Sequence, residues 1–137
     1  MIFVKLDFSE KYSKLKDRLQ NLSGKSLIFA HYDFDGISSA IIFSKILEKF
    51  KKEYKKDFFV KFGRDSEHRL LEDKKNLELF SDYENIFFLD FCQTTFEGLE
   101  NKNLWVFDHH SVGEKKDFII NPAWDVSPEY LPNCCCD

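Results

Sequence analysis

The sequence has no long run of apolar residues. None of the apolar stretches among its 137 residues approaches the roughly 20 residues that a helix needs to cross a membrane. Residues 1–8 are too few, and too soon followed by charged residues, to form a secretory signal. We therefore expect no membrane partner and a cytoplasmic location.

Cysteines in a metal-binding or disulfide-forming pattern are also lacking. Of the four cysteines, Cys134, Cys135 and Cys136 are consecutive and Cys92 stands alone. This arrangement lacks the C-x-x-C spacing of a zinc knuckle and does not indicate a disulfide framework. We interpret all four as reduced thiols and Cys92 as a small packing residue.

The chain has no excess of positive charge. Its 20 Lys and Arg residues are outnumbered by 24 Asp and Glu residues, which leaves a net charge of −4. This balance excludes a generally basic nucleic-acid binder. Basic residues crowd residues 11–25 and 45–61, and the acidic residues mixed into the second stretch favour a solvated helix face over a phosphate-binding surface.

Two kinds of apolar pattern alternate along the chain. Some segments repeat apolar residues at helical spacing, and others are short continuous apolar runs with the length of buried strands. This alternation predicts an α/β fold, in which a mostly parallel sheet has helices on both faces. The predicted helices cover residues 9–22, 37–50, 66–80 and 94–100, and the predicted strands cover residues 26–31, 57–62, 85–90, 104–108 and 118–120.

Side chains that can bind metals stand at the ends of three predicted strands. His31, Asp90 and Asp108 each lie at the C-terminal end of an apolar strand run. Ligand sites in open α/β sheets form at the carboxyl ends of the strands. We therefore expect these three side chains to meet at one edge of the sheet.

The residues around these strand ends favour a divalent-metal site. Asp33 and Asp35 lie two positions apart, and two ionised carboxylates so close repel each other unless a cation lies between them. His31, His109 and His110 account for three of the four histidines. Carboxylates combined with imidazoles move the preference from Mg²⁺ toward Mn²⁺, with Mg²⁺ retained as an alternative.

The candidate ligands are numerous enough for two metal ions. Two ions about 3.5–4 Å apart form a clamp for in-line attack on a phosphoryl group. Asp90 is the expected bridging ligand, because the two oxygens of its carboxylate can face different ions. The candidate donors are the carboxylates of Asp33, Asp35, Asp90 and Asp108 and the imidazoles of His31, His109 and His110.

Neighbouring residues offer groups for binding a phosphate. Gly36 opens the predicted helix after Asp35, so backbone N–H groups at the start of that helix are expected to meet a phosphate. Ser38 would add a hydroxyl donor, and Arg64 would bind a phosphate through two hydrogen bonds. His68 is predicted to be a surface residue.

Each motif taken alone has a purely structural interpretation. Asp33 and Asp35 alone would be a helix cap and a turn residue, and Asp90 alone would be a cap. The convergence of three strand ends favours an active site instead. A haloacid-dehalogenase-like phosphatase with Asp33 as nucleophile is disfavoured, because Ile37 stands where that class usually has Thr or Val and the Asp-His-His triplet stays unexplained.

These motifs resemble those of the DHH phosphoesterase superfamily over residues 26–122. The compact H-x-D-x-D-G form is most similar to that of the RecJ-like nucleases and their archaeal relatives. The matching segments are HYDFDG at residues 31–36, the Asp90 that ends IFFLD, VFDHHS at residues 106–111, and Asn121-Pro122.

The resemblance implies a two-metal, Mn²⁺-dependent phosphodiesterase that degrades single-stranded DNA or short RNA from one end. It implies that the metal ligands are Asp33, Asp35, Asp90 and His109, together with Asp108 as a ligand or as the partner of one, and His31 at a position where relatives carry either His or Asp. It also implies that Asp108, His109 and His110 form the catalytic triplet, with His110 as a ligand or a contact to the scissile phosphate. Two alternatives within the superfamily stay open. These are a non-catalytic replisome subunit and a hydrolase of a small phosphoester or pyrophosphate.

The chain departs from the superfamily pattern after the third motif. Members carry a fourth motif with a metal-binding Asp and a C-terminal substrate-binding domain. Asp125 is too close to the triplet for that role, and Asp137 is too early. We therefore expect a single domain over residues 1–137 that is incomplete at its C-terminus. Two alternatives stay open: the chain is a fragment of a longer protein, or it is one half of a split protein whose partner polypeptide completes the site.

Overall fold

The structure is a computed structural model that describes residues 9–59, 67–110 and 113–122. Helices and strands alternate through most of this part of the chain. The elements are α1 (Ser9–Gln20), β1 (Ser26–His31), α2 (Phe34–Lys49), β2 (Tyr54–Phe59), two 3₁₀ helices (Glu67–Glu72 and Lys74–Phe80), β3 (Asn85–Leu89), β4 (Asn103–Phe107) and β5 (Ile119–Ile120).

The five strands form one sheet in the order β2-β1-β3-β4-β5. Every pair of neighbours is parallel, and the registers align Ser26 with both Tyr54 and Asn85 and align Asn85 with Asn103. The strand order reverses direction between β1 and β3, which is the place where open α/β sheets form their ligand crevice. The predicted parallel α/β fold is confirmed.

Apolar layers lie on both faces of the sheet. Along β1, Leu27 and Phe29 pack on one face, whereas Ile28 and Ala30 pack on the other. All residues of β1 and β3 are buried, as expected for parallel strands that are covered on both sides. Helices α1 and α2 cover the face of Ile28, and the two 3₁₀ helices cover the opposite face.

Two elements begin three residues before their predicted starts. Helix α2 begins at Phe34, three residues before the predicted start, because Asp33 caps it and brings Asp35 and Gly36 into its first turn. Strand β2 begins at Tyr54 and not at residue 57. The end predicted for this strand, residues 60–62, lies outside the described residues.

Two predicted helices were wrong. Within residues 67–80, the single predicted helix is replaced by two 3₁₀ helices, because Asp73 interrupts the first and caps the second by accepting a hydrogen bond from the N–H of Lys75. Residues 94–100 form turns, where Gly98 adopts φ of +92°, a conformation that L-residues in a helix do not take. None of the helices in the described ranges is long and apolar enough to cross a membrane.

Candidate metal centre

The first turn of α2 is anchored to the end of β1 by Asp33. This residue has extended backbone angles, and its Oδ1 accepts a hydrogen bond from the N–H of Gly36 at 2.8 Å. Its other carboxylate oxygen, Oδ2, lies 2.7 Å from Nδ1 of His31. Partial burial works to raise the pKa of Asp33, but the bond from Gly36 and the contact with His31 hold it below the usual value. Asp33 is therefore a cap and a site residue at once.

Gly36 allows the helix to approach the strand closely. A Cβ at this position would lie 2.2 Å from the carbonyl oxygen of His31, which no side chain can tolerate. The predicted phosphate donor at this residue, its N–H, is bonded to Asp33. The hydroxyl of Ser38 donates to the carbonyl of Phe34 at 2.7 Å. Arg64, the third residue predicted to bind a phosphate, lies outside the described residues.

His31 lies among three carboxylates at the end of β1. Its Nδ1 is 2.7 Å from Oδ2 of Asp33 and 3.8 Å from Oδ2 of Asp90, and its Nε2 contacts Oε1 of Glu67. The ring stacks on Phe91, with centroids 6.1 Å apart and planes 17° apart. His31 is thereby held with one nitrogen toward the predicted ligands.

Asp90 stands at the centre of the cluster, directly after β3. It is 1% exposed and adopts φ of +56°, a left-handed conformation that Asp tolerates better than most residues. Its N–H donates to the carbonyl of Phe107 on β4 at 2.8 Å. Oδ1 lies 3.2 Å from Nε2 of His109 and 3.7 Å from Nδ1 of His110, whereas Oδ2 faces His31. The two oxygens of Asp90 therefore face different imidazoles.

Asp108 organises the loop that follows β4. Its Oδ2 accepts a hydrogen bond from the N–H of Cys92 at 3.1 Å, and its Oδ1 accepts from the N–H of His109 at 2.9 Å and pairs with Nδ1 of His110 at 2.7 Å. The side chain of Asn121 donates to the carbonyl of His110 at 2.7 Å. Asp108 thus fixes both histidines of the triplet relative to the segment after β3.

Asp35 closes the cluster from the side of α2. Its Oδ2 lies 3.3 Å from Nε2 of His109, the same nitrogen that approaches Asp90. The side chains of Asp35 and His109 are 19% and 20% exposed. Residues that follow β1, β3 and β4 therefore converge at one place, as the sequence predicted.

The accumulated negative charge changes the acid–base behaviour of two residues. Burial, followed by the charges of Asp35, Asp33 and Asp108, raises the pKa of Asp90 to about 8. The hydrogen bond with Asp108 raises the pKa of His110 to about 9, against the effect of burial. Carboxylates crowded into a buried site attract a counter-cation, and perturbed titration of this kind is typical of functional sites.

The donor atoms fit divalent metals. Nδ1 of His31 and Oδ1 of Asp90 are buried and make no hydrogen bond, although buried polar atoms normally find a partner. His31, Asp33 and Asp90 place ligand atoms within 4.8 Å of one another, and Asp90, Asp108, His109 and His110 form a second such group. Asp90 is common to both groups, which fits its predicted bridging role. Mixed carboxylate and imidazole donors suit Mn²⁺.

The sequence analysis missed Glu67. This residue is 7% exposed, lies in the first 3₁₀ helix and contacts His31. A signal for it existed, because Glu67 precedes the buried Leu70 and Leu71 by three and four residues and so occupies the apolar face of the segment.

Two other residues near the centre have clear structural roles. Cys92 is fully buried, and burial together with the charge of Asp108 raises the pKa of its thiol to about 12. It is a packing residue, as predicted. Nδ1 of His68 lies 2.7 Å from the carbonyl oxygen of Cys92. His68 therefore belongs to the wall of the site, and its prediction as a surface residue was wrong.

A family profile decides where this chain belongs. The profile described as "DHH family, N-terminal domain" matches residues 25–136, which contain all three motifs. The chain belongs to the DHH family. No curated protein matches the sequence. The family membership therefore rests on the match over residues 25–136.

Solved structures with the same fold include two RecJ proteins. The DHH chain is 19% identical to an exonuclease RecJ bound to manganese, with a TM-score of 0.61 over 94% of this chain and 34% of that chain. It is 16% identical to RecJ in complex with Mn²⁺ from Thermus thermophilus, with a TM-score of 0.57 over 91% of this chain and 17% of that chain. The chain thus spans about a third or less of these proteins.

Two further neighbours carry different names. CDC45 from Entamoeba histolytica is 16% identical, with a TM-score of 0.59 over 82% of this chain and 24% of that chain. An exopolyphosphatase-related protein from Bacteroides fragilis is 13% identical, with a TM-score of 0.56 over 87% of this chain and 40% of that chain. Identities this low establish a shared fold.

Proposed function

We propose that this chain is the DHH domain of a metal-dependent phosphodiesterase, and that it acts as a RecJ-like exonuclease on single-stranded DNA or short RNA. One observation carries the proposal. Carboxylates and imidazoles that follow β1, β3 and β4 meet at the strand-order reversal, in two groups that share Asp90. A shared carboxylate between two clusters of hard-ion ligands is the arrangement that two-metal phosphoryl chemistry requires.

The proposed metal ligands are distributed between the two groups. His31, Asp33 and Asp90 would hold one ion, and Asp90, Asp108 and His109 would hold the other, with Asp35 joining them beside His109. Mn²⁺ is favoured, and Mg²⁺ is the alternative. When bound, such a pair of ions supplies an activated water and neutralises charge on the phosphate. The described geometry supports this division, since the two oxygens of Asp90 face His31 and His109 respectively.

His110 would contact the substrate through a ring proton, and Asp108 would hold the ring in place. The hydrogen bond with Asp108 raises the pKa of His110 to about 9 and so favours the protonated form of the imidazole. Its side chain is 39% exposed, more than the 20% of His109. Asp108 fixes the ring through Nδ1. A fixed, partly exposed imidazolium beside the ligand cluster is suited to contact an oxygen of the scissile phosphate and to stabilise the charge that develops there.

The named neighbours support a nucleic-acid substrate and keep two other candidates in view. The structure named exonuclease RecJ favours exonucleolytic cleavage, whereas the exopolyphosphatase-related neighbour favours a small phosphate substrate. A non-catalytic interaction role within the superfamily is the other candidate. The intact ligand cluster favours catalysis over that role. Because the chain spans about a third of the first RecJ structure, we also propose that further polypeptide, in the same protein or in a partner, completes the substrate cleft.

Hydrolysis of labelled substrates tests the proposal. The chain is incubated with Mn²⁺ and a 5′-labelled DNA 20-mer, the matching RNA, a dinucleotide or pyrophosphate. Mn²⁺-dependent shortening of the strands is expected, together with its loss in the Asp108→Ala, His109→Ala double variant. Asp17→Asn, an exposed carboxylate change on α1, serves as the matched control and should retain full activity.

Each substrate separates one candidate from the others. Cleavage confined to the dinucleotide or pyrophosphate would replace the exonuclease by a small-substrate hydrolase. Absence of Mn²⁺ binding and of all cleavage, both for the chain alone and with any co-purifying protein, would contradict the enzyme and favour an interaction subunit. Activity that appears only with a co-purifying protein would support a site completed by a partner.

A further inference from the structure

Glu67 is a buried carboxylate that contacts the His31 ring at the opposite nitrogen from Asp33 and Asp90. Its side chain is 10% exposed, and its Oε1 contacts Nε2 of His31. The opposite nitrogen, Nδ1, faces Asp33 and Asp90 at 2.7 and 3.8 Å. One nitrogen of the imidazole therefore faces the candidate metal ligands, and the other faces Glu67. Glu67 belongs neither to the HYDFDG motif at residues 31–36 nor to the Asp-His-His triplet at residues 108–110.

The position of Glu67 is set by the segment that follows β3. The fully buried Gln93 donates from Nε2 to the carbonyl of Glu67 at 2.9 Å, and its Oε1 accepts from the N–H of Leu71 at 3.3 Å. The N–H of Thr94 donates to the carbonyl of His68 at 2.8 Å. These bonds tie the first 3₁₀ helix to the residues just beyond Asp90, so that Glu67 and the ligand cluster have a common support.

We infer that Glu67 is a positioning residue that holds His31 in the tautomer with hydrogen on Nε2, so that the lone pair of Nδ1 faces Asp33 and Asp90. The inference rests on the proposed function, because that function places a metal at Nδ1. Histidines that bind metals usually donate their second ring N–H to a carboxylate or a carbonyl. The stacking of the ring on Phe91 restricts its rotation in the same sense.

The contact between Nε2 and Glu67 lacks the alignment of a hydrogen bond. For Nε2–H to donate to Glu67, the carboxylate must turn into line with that N–H when Nδ1 binds a metal. A slowly exchanging proton on Nε2 of His31 is therefore expected in the loaded protein, and a rapidly exchanging one in a variant that has no acceptor at position 67.

Two variants separate hydrogen bonding from packing. Glu67→Met has a similar volume and no acceptor for Nε2–H, whereas Glu67→Gln keeps an acceptor oxygen and loses the charge. Glu72→Met is the matched control, because Glu72 lies at the other end of the same 3₁₀ helix and bonds to Arg69 and Thr94 instead of His31. Amide NMR spectra of each variant, compared with that of the unmodified chain, test whether the fold is retained.

The affinity for Mn²⁺, measured by titration calorimetry, is the first measurement. Glu67→Met should weaken binding about 10–100-fold, the range found when partners of metal-bound histidines are removed. Glu67→Gln should recover most of that loss, and Glu72→Met should bind like the unmodified chain. An unchanged affinity in Glu67→Met would overturn the inference, as would an equal loss in the Gln variant, which would assign the effect to charge.

The protonation of the His31 ring is the second measurement. With diamagnetic Zn²⁺ bound, long-range ¹H–¹⁵N spectra should show a slowly exchanging proton on Nε2 in the unmodified and Gln proteins, and rapid exchange in Glu67→Met. A proton on Nδ1 in the loaded protein would contradict the inference. Failure of the unmodified chain to bind either ion would instead contradict the proposed function, so the two failures are distinguishable.

Discussion

The two ends of β3 each carry one buried polar residue, and the two differ in how their polar atoms are satisfied. Asn85, at the start of the strand, is 3% exposed, and Asp90, just after its end, is 1% exposed. The Nδ2 of Asn85 donates to the carbonyl of Ser23 at 2.8 Å, and its Oδ1 accepts from Asn103 at 3.0 Å. Oδ1 of Asp90 makes no hydrogen bond, and burial together with the charges of Asp35, Asp33 and Asp108 raises the pKa of this carboxyl group.

This difference separates a structural role from a functional one. A buried polar group with partners contributes to stability, whereas an uncompensated buried carboxylate lowers it. The fold keeps Asp90 in a left-handed conformation, with φ of +56°, and close to like charges. Such unfavourable features persist where function requires them. We therefore expect changes at the two ends of β3 to have opposite effects on stability and on metal binding.

The largest effect is expected for Asp90→Asn. Mn²⁺ affinity should fall more than about 100-fold, since even residues that only orient metal ligands account for 10–100-fold. With the metal chelated, the same variant should be more stable than the unmodified chain. Because the pKa of Asp90 in the folded state is raised to about 8, ionisation destabilises the fold as pH rises from about 4 through 8.

Chemical denaturation at pH 5 and pH 9 in the presence of EDTA measures this effect. The stability advantage of Asp90→Asn should be larger at pH 9, where it should reach at least about 2 kcal/mol. A variant that is less stable than the unmodified chain at pH 9 would show that the Asp90 carboxylate is compensated, and would remove the contrast between the two strand ends.

Asn85→Ala should have the opposite effects, with lower stability and unchanged affinity for Mn²⁺. Removing the amide leaves the carbonyl of Ser23 and the side chain of Asn103 without this partner, which should reduce the free energy of unfolding by about 1–3 kcal/mol. The affinity for Mn²⁺ should stay the same, because Asn85 lies at the opposite end of the strand from the ligand cluster. Loss of metal affinity with unchanged stability would contradict the assignment.

The smallest change in stability is expected for Asp33→Asn. Asn caps helices as well as Asp does, so the bond to the N–H of Gly36 should survive and the free energy of unfolding should change by less than about 0.5 kcal/mol. The loss of a carboxylate next to His31 should nevertheless weaken Mn²⁺ binding. Denaturation and calorimetry on one preparation test both parts, and a loss of stability without loss of affinity would reduce Asp33 to a cap.

The sheet and the centre of the site could be predicted because local signals and topology agree. His31, Asp90 and Asp108 each end an apolar run, and parallel strands bring such ends to one edge. Glu67 could not be predicted in this way. Its spacing to Leu70 and Leu71 indicates burial, but its place beside His31 depends on a hydrogen bond from Gln93, which is 26 residues away in sequence.

Local signals also misplaced elements where turn chemistry prevailed over apolar spacing. Residues 66–80 have a helical distribution of leucines, yet Asp73 ends one 3₁₀ helix and caps the next. Residues 94–100 were predicted as a helix, but Thr95 accepts a hydrogen bond from the N–H of Glu97, and Gly98 takes a positive φ. Side-chain bonds to the backbone offer these segments an alternative to the α-helix.

The close packing of Gly36 on the carbonyl of His31 has an entropic consequence. Fixing the backbone of one residue costs about 1–2 kcal/mol. The residues from His31 to Gly36 are fixed when α2 docks on β1, through the cap bond and the absence of a side chain at Gly36. Folding therefore bears the ordering cost of this segment. A cation or a phosphate that arrives later meets His31, Asp33 and Asp35 already in place, and its binding free energy is not reduced by organising them.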